Sequence, residues 1–276
     1  MTSFPLTAQQ IEHYDAHGWI APVEVMTPGE AAALNKAFAQ AERTYPEHLH
    51  AENRNNAHLA FPFFHDVVTD SRIVDAVEQL IGPDICLWST VLFVKPPSSS
   101  GFVSWHQDAF YMGLEPANFV TAWLALTPST VASGCVSVVP GTHRSLMSHT
   151  DTFGEDNILT RGQEVSDVDA SSVVHLELAP GQMSLHHPWL VHGSQPNRTE
   201  SPRIGLAMQS YLGADVRPLR GEHHVTAIRG RAPHDSFVTA PRPSEPGEPH
   251  AVGVRAAANA AMSAVLYDGA DEVRGF

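Results

Sequence analysis

A histidine and an aspartate stand two positions apart in the segment Trp105-His106-Gln107-Asp108. The surrounding residues predict a β-strand, and side chains two apart on a strand point to the same face. His106 and Asp108 are therefore predicted to point the same way. One carboxylate and two imidazoles make up the facial triad that holds non-haem Fe(II) and leaves three coordination positions open. Because the chain has 17 histidines, the pair alone is equally compatible with a surface pair or a hydrogen-bonded core histidine.

A third ligand has to come from later in the chain. The candidates are His186, His187 and His192. The first two would point to opposite faces of one strand, Pro188 interrupts the ladder after them, and His192 lies in a new run. Spacing alone does not choose among the three histidines.

Beyond these histidines, Arg203 opens a further predicted strand. Arg203, Gly205, Ala207 and Gln209 share one face of it. A guanidinium binds a carboxylate through two parallel hydrogen bonds, and the two small neighbours leave room for a dicarboxylate against the strand. The alternative is an exposed arginine at the start of a strand.

The segments that would position these side chains are short strands separated by Gly- and Pro-rich turns. The predicted strands span 85–95, 103–110, 119–126, 135–139, 173–178, 182–187, 190–192 and 204–212. About eight short strands at this density are typical of a sandwich or jelly roll rather than a parallel α/β sheet.

The flanking regions differ from this pattern. A helical region is predicted over about 1–84, with helices over 7–16, after the N-cap Thr27 and after the N-cap Asp70. Residues 45–66 are predicted to form a loop or a lid, and residues 143–172 a long polar insertion. We expect one domain, with a jelly-roll core over about 85–215 and a C-terminal extension over 216–276 that contains a helix over 254–265.

Composition limits the classes of function. The chain has 276 residues, 43% of them hydrophobic, and a formal net charge of -14. This acidity argues against nucleic-acid and anionic-membrane partners, which require clustered Lys and Arg. Cys86 and Cys135 have no paired spacing and are predicted to be buried thiols. The N-terminus has no apolar signal region and no run approaches the ~20 residues that span a bilayer, so a cytosolic protein is predicted.

Several motifs occur together in a single order. They are Lys95-Pro96-Pro97, Trp105-His106-Gln107-Asp108, Ala122-Trp123, Gly134-Cys135, Pro140-Gly141-Thr142-His143, His187-Pro188, His192-Gly193-Ser194 and Arg203. Jointly they resemble the phytanoyl-CoA dioxygenase family, over about Leu6 to Tyr211. The resemblance implies a mainly β fold with flanking α-helices, a double-stranded β-helix (jelly roll, cupin-like). It also implies an Fe(II)- and 2-oxoglutarate-dependent oxygenase that consumes O2.

Carried over by position, the resemblance makes His106, Asp108 and His192 the catalytic iron ligands. It implies a reaction that releases succinate and CO2. Halogenating members of the superfamily have Ala or Gly where this chain has Asp108. The aspartate therefore predicts a hydroxylase, or an enzyme that performs another oxidation by the same iron-oxo species, rather than a halogenase.

The same resemblance assigns the cosubstrate site. Arg203 would bind the distal carboxylate of 2-oxoglutarate, with Ser194 as a hydroxyl donor beside it. Trp123 either lines the cosubstrate pocket or is a large core aromatic residue. Thr121 shares its face and is a weaker candidate.

The substrate is expected to be a small molecule. The residues expected to face it are Phe110, Tyr111, Phe61, Phe63, Trp189 and Lys95, although the aromatic residues are also compatible with packing and Lys95 with a solvated strand end. The acidic balance favours a free metabolite or natural-product intermediate over an acyl-CoA, unless Arg144, Arg161 and Arg217 form a basic pocket.

Two other functions fit the same residues. One is a non-catalytic metal-binding jelly-roll sensor or carrier, and the other is a cupin-type metalloenzyme that does not use 2-oxoglutarate. The sequence does not indicate the oligomeric state.

Overall fold

The computed structural model describes residues 6–159, 161–166, 168–231 and 233–273. Its α-helices are α1 Ala8–His17, α2 Pro28–Thr44, α3 Pro62–Val68, α4 Ser71–Ile81, α5 Ala109–Met112 and α6 Pro249–Leu266. Its strands are β1 Trp19–Glu24, β2 Ile85–Lys95, β3 Val103–His106, β4 Leu114–Glu115, β5 Phe119–Ala125, β6 Val136–Val138, β7 Thr150–Asp151, β8 Gln163–Glu164, β9 Val174–Leu176, β10 Gln182–His186, β11 His192–Ser194, β12 Arg203–Gly213, β13 Arg217–Pro218, β14 His223–Arg229 and β15 Phe237–Thr239.

Two sheets face each other across an apolar layer. The larger has seven strands in the order β1-β10-β5-β12-β2-β14-β15, and the smaller has four in the order β3-β11-β6-β9. Trp123 and Ala207 of the larger sheet pack with Val136, Val138 and Leu176 of the smaller. The predicted mainly β jelly-roll fold is therefore confirmed. The larger sheet also takes in β1, β14 and β15, which lie outside residues 85–215.

The opposite face of the larger sheet is covered by the N-terminal helices. Apolar residues of α2, α3 and α4 pack there in one cluster with Leu206 and Met208 of β12. The start of α2 is fixed as the sequence predicts, because Thr27 and Glu30 form a capping box. β12 thus buries one set of alternate residues under helices and presents the other set to the space between the sheets.

The segment 45–66 is more ordered than a lid. It contains a 3₁₀ turn, Ala57–Leu59, and the first turns of α3. Phe61 is fully buried in the helix-covered core, and Phe63 packs on it with their ring centroids 6.0 Å apart. The expectation that these two rings face the substrate is corrected, because both rings pack in the apolar core between α3 and the sheet.

The cysteine prediction is confirmed: Cys86 and Cys135 are both buried and free. Among the helices of the described ranges, none has the length and apolarity needed to cross a bilayer.

Candidate active site

His106 and His192 lie opposite each other on adjacent strands of the smaller sheet. They are register partners in the β3–β11 pair, with ring centroids 4.2 Å apart. In each ring Nδ1 forms a hydrogen bond with a backbone carbonyl. The partner of His106 is Ser104 O at 2.9 Å, and the partner of His192 is Leu190 O at 3.0 Å. A carbonyl only accepts, so Nδ1 carries the proton and the Nε2 lone pair of each ring is free to bind a metal.

Asp108 lies beside the two histidines, but its backbone is not in a strand as predicted. β3 ends at His106, and Asp108 has helical backbone angles (φ -54°, ψ -47°) at the start of α5. The cause is Gln107, which is fully buried and whose side-chain amide donates to the carbonyls of Ser145 and Trp189, turning the chain out of the sheet. The prediction that His106 and Asp108 share one face of a strand is therefore corrected. A turn, rather than strand alternation, brings the carboxylate to the histidines.

The three side chains form a compact cluster. Asp108 Oδ1 lies 3.4 Å from His106 Nε2 and 3.9 Å from His192 Nε2. One potential ligand atom from each residue lies within 4.8 Å of the other two, and all three residues are buried. Two imidazoles and one carboxylate match the donor set of the facial triad.

The protonation states suit a metal. Burial and the neighbouring His106 hold the pKa of His192 well below its usual range. Burial alone would raise the pKa of Asp108, but His192 and His106 outweigh it and hold that pKa below the usual range. At neutral pH the cluster therefore offers the neutral imidazole of His192 and the carboxylate of Asp108, which are forms that bind divalent metals.

Of the three candidate histidines, His192 completes this cluster. His186 stacks beside the His192 ring, with centroids 4.7 Å apart, and lines the neighbouring cavity. His187 points elsewhere, and its Nδ1 accepts from the backbone N–H of Trp189 at 3.1 Å.

A buried cation lies across this cavity from the triad. Arg203 is 2% exposed, and none of the carboxylates in the described ranges forms a salt bridge with it. Its Nε is buried without a hydrogen-bond partner. Burial lowers the pKa of Arg203 to about 10, so it stays charged at neutral pH. A buried guanidinium without a counter-ion is unfavourable and calls for an anionic ligand.

Trp123 both packs and lines this cavity. The Arg203 guanidinium carbon lies 5.2 Å from the centroid of the Trp123 ring. A Cβ on Gly205 would stand 2.0 Å from Cζ2 of Trp123. The small residue at 205 thus makes room for the indole rather than for a dicarboxylate, whereas Ala207 does line the cavity.

Lys95 supports Ser194 from behind. It is fully buried, and its ammonium donates to Ser194 Oγ at 2.7 Å, to Ser194 O and to Gln195 O. Burial and Arg203 lower the pKa of Lys95 to about 7, while three accepting oxygens match the three donors of the charged form. Since Ser194 Oγ accepts from Lys95, its own hydrogen is left to donate into the cavity. The placement of Lys95 in a substrate pocket is corrected accordingly.

Thr121 binds the carboxylate of Asp108 and is not placed beside Arg203 as a second group for the cosubstrate. Its hydroxyl donates to Asp108 Oδ2 at 3.1 Å. Gln209 Nε2 lies 3.5 Å from Oδ1, at the limit of a hydrogen bond. Thr121 also lines the cavity, but this contact fixes which oxygen of Asp108 faces the histidines.

A second, wider cavity adjoins the triad. Of the aromatic residues predicted to face substrate, Tyr111 lines it. Phe110 instead stacks on His149, with centroids 4.3 Å apart, and Trp189 is half-buried beside His187. These two placements correct the prediction: Phe110, in the turn that follows Gln107, is directed toward His149 of the insertion, and Trp189 lies in the loop before β11.

The cavity walls include residues that the sequence did not suggest. They are Gln163 of the insertion and Met262 and Leu266 of α6. Gln209, which the alternation of β12 places on the same face as Arg203, also lines this cavity. Nothing in the sequence pattern connects the C-terminal helix to the site.

The alternative of a basic pocket is not supported. Arg161 pairs with Asp151, while Arg144 and Arg217 donate to the backbone carbonyls of Ala16 and Ala214. The three guanidiniums are bound at separate places and do not converge on either cavity.

The fold and site together define a class: jelly-roll proteins with a two-histidine, one-carboxylate cluster beside a buried anion pocket. The family model described as phytanoyl-CoA dioxygenase (PhyH) matches residues 14–205. The chain belongs to this family of Fe(II)- and 2-oxoglutarate-dependent oxygenases, and the predicted membership is confirmed.

Individual relatives agree with this assignment. A probable phytanoyl-CoA dioxygenase of Caenorhabditis elegans is 38% identical over 144 residues, which are 49% of this chain and 46% of that protein. The chain thus spans about half the length of the curated relatives it matches. Among solved structures, the non-heme monooxygenase ThoJ in its apo form has a TM-score of 0.84 at 28% identity, covering 94% of this chain and 98% of that one. Its nickel complex has a TM-score of 0.79 at 27% identity, covering 94% and 99%.

The Thr121 contact gives a first testable prediction. Thr121→Val keeps the shape of the side chain but removes the donor to Asp108 Oδ2, so the carboxylate loses its fixed orientation. We expect the affinity for Fe(II) to fall about 10–100-fold, as for other outer partners of metal ligands. Anaerobic metal titration measures it. Thr121→Ser keeps the hydroxyl and should bind iron as the native protein does, and equal affinity in the valine variant would contradict the role.

Proposed function

We propose that this protein is an Fe(II)- and 2-oxoglutarate-dependent dioxygenase that hydroxylates an unactivated C–H bond of a small molecule, releasing succinate and CO2. The observation that carries the proposal is Arg203, a buried cation without a counter-ion that faces the same cavity as the triad. A protein that only bound a metal would have no need of this anion pocket. The cytosolic location expected from the sequence remains a prediction.

Each residue of the site has a defined task in this proposal. His106, Asp108 and His192 would hold Fe(II), which with 2-oxoglutarate supplies O2-dependent oxidation of a C–H bond. Arg203 would bind the distal carboxylate of 2-oxoglutarate by a charge-assisted fork, and Ser194 would donate a further hydrogen bond. The burial of the cavity excludes water from the reacting groups.

The two cavities divide the ligands between them. Both are lined by His106, Asp108 and Gln209, so molecules bound in the two cavities meet at the triad. The cavity with Arg203 takes the cosubstrate, which leaves the wider cavity for the substrate.

The choice of hydroxylation over halogenation rests on Asp108. Its carboxylate occupies the ligand position that halogenating relatives in the superfamily leave open. Incorporation of one atom of labelled O2 into the product, without halide incorporation in chloride buffer, tests this choice.

The function is tested in two steps. Anaerobic addition of Fe(II) and 2-oxoglutarate should give the weak visible charge-transfer band of the iron chelate, and admission of O2 should then release succinate. Failure to form the band would refute the proposal. Band formation without succinate, across a broad set of candidate substrates, would favour a metal-binding sensor or carrier. A metal-dependent reaction that needs no 2-oxoglutarate would favour a cupin-type enzyme.

A further inference from the structure

The wider cavity is mostly apolar and open at one end. Aliphatic and aromatic side chains from β2, α5, the insertion and α6 line it, namely Val91, Phe93, Met112, Leu159, Met262 and Leu266. It opens to solvent beside Ala51 and Glu52, which are both exposed. A ligand that fills it must therefore have an apolar body.

The cationic groups around this cavity are already neutralised. Arg54 is the one Lys or Arg in its lining within the described ranges, and it donates to Glu42 Oε1 through Nε at 3.1 Å and Nη2 at 2.8 Å. Behind the wall, Arg161 is buried, pairs with Asp151 and lies 4.7 Å from the centroid of the Tyr111 ring.

The remaining charge at this cavity is negative. Glu52 lines the mouth, and no cation of the described segments forms a salt bridge with it. Phosphate groups are bound in proteins by clustered, unpaired Lys and Arg or by free backbone N–H groups. Among its described residues the lining supplies no such cation, so a phosphate group at this cavity would find no cationic partner and would lie near the unpaired Glu52.

One polar group in the wall lacks a partner. Gln163 is 7% exposed, lines the cavity, and has its side-chain oxygen Oε1 buried without a hydrogen bond. Its backbone is fixed against the strand that carries His106, because its carbonyl accepts from the Ser104 hydroxyl and Val165 N donates to Trp105 O at 2.7 Å. A buried unpaired acceptor is unfavourable, and a ligand N–H or O–H would satisfy it.

We propose that the substrate is a neutral or cationic molecule with an apolar body and an N–H or O–H group that donates to Gln163, and not a coenzyme A thioester or another phosphate-bearing compound. This inference rests on the proposed function for the assignment of the wider cavity to substrate. The inference excludes a coenzyme A thioester as the substrate of this chain, although the description of the matching family model names such a thioester.

The charge preference is measured with four probes that share one alkyl body: decylamine, decanamide, decanoate and decanoyl-coenzyme A. Each is titrated anaerobically into the protein with Fe(II) and 2-oxoglutarate, and the shift of the chelate band reports occupancy. We expect the amine and the amide to bind at least about ten-fold more tightly than the other two. Equal or tighter binding of decanoate or the thioester, or binding by none of the four, would overturn the inference.

A separate readout distinguishes this inference from the proposed function. If no chelate band forms, the proposed function fails, and titration calorimetry with the same four probes still measures the charge preference of the cavity.

The role of Gln163 is tested with two variants. Gln163→Leu removes the acceptor and should weaken decanamide binding about ten-fold, whereas Gln163→Glu keeps an acceptor and should bind decanamide as the native protein does. The control is Gln79→Leu, at an exposed position of α4, and it should bind all probes normally. Native affinity in Gln163→Leu, or equal losses in both Gln163 variants, would rule out the proposed contact.

Discussion

Asp108→Ala is expected to abolish Fe(II)- and 2-oxoglutarate-dependent succinate release. Asp108 supplies the one anionic donor of the cluster, and its Oδ1 lies between the two histidine Nε2 atoms. Loss of a residue that hydrogen-bonds to a metal ligand already lowers metal affinity about 10–100-fold. Loss of the ligand itself should therefore lower metal affinity at least about 100-fold and lower turnover further. Anaerobic iron titration and succinate assays measure the two effects.

This variant should remain folded without metal. The deletion removes a carboxylate that is held by the Thr121 hydroxyl at 3.1 Å, and we expect the loss of this hydrogen bond to affect the stability of the apo protein less than the loss of the ligand affects metal binding. Asp66→Ala is the matched control, because Asp66 is exposed and pairs with Arg242 at the surface. Native rates of iron-dependent succinate release in Asp108→Ala would disprove the assignment of this residue as a ligand.

Arg203→Leu should raise the KM for 2-oxoglutarate by about 100-fold. Removing one partner of a buried, hydrogen-bonded charge pair costs about 2–5 kcal/mol, which corresponds to ~30-fold or more in affinity. Leucine fills much of the arginine volume, so the contact with Trp123 is partly kept while the charge is lost. Arg203→Lys keeps the charge without the fork and should give an intermediate KM.

The controls separate cosubstrate binding from metal binding. Arg203 makes no contact with the ligand atoms of the triad, so the Fe(II) affinity of Arg203→Leu should equal that of the native protein. Arg217→Leu, at an arginine that bonds to the backbone carbonyls of Ala214 and Val216, should leave the KM unchanged. An unaltered KM in Arg203→Leu would show that the buried guanidinium serves the fold alone.

The two cavities at this triad differ in charge. One end is the cavity lined by Arg203, with Lys95 directly behind it, and neither buried side chain has a carboxylate partner among the described residues. The other end holds apolar walls, an arginine already paired with Glu42, and the unpaired amide oxygen of Gln163. Under the proposed function, this difference in charge would direct an anionic cosubstrate and a non-anionic substrate to opposite sides of the triad.

Most strands and helix starts could be predicted from the sequence because they depend on local rules. The alternation in β12 placed Arg203, Ala207 and Gln209 on the inner face, and Leu206 and Met208 on the helix-covered face. That alternation holds until Ser210, whose positive φ of 67° accompanies a bulge after Met208. The Thr27 capping box fixed the start of α2 in the same local way.

The site was decided by contacts between distant segments. Spacing did not distinguish His186 from His192, and the register of β11 against β3 did, by setting His192 opposite His106. Asp108 faces both because Gln107 is buried and bonded to two other loops, a tertiary contact that overrides strand alternation. The packing of α6 beside the site likewise placed Met262 in the wall of the wider cavity. By itself the sequence determined the residue types, the short strands and the face of Arg203. Which side chains converge was decided by tertiary structure alone, because register and loop packing depend on residues far apart in the chain.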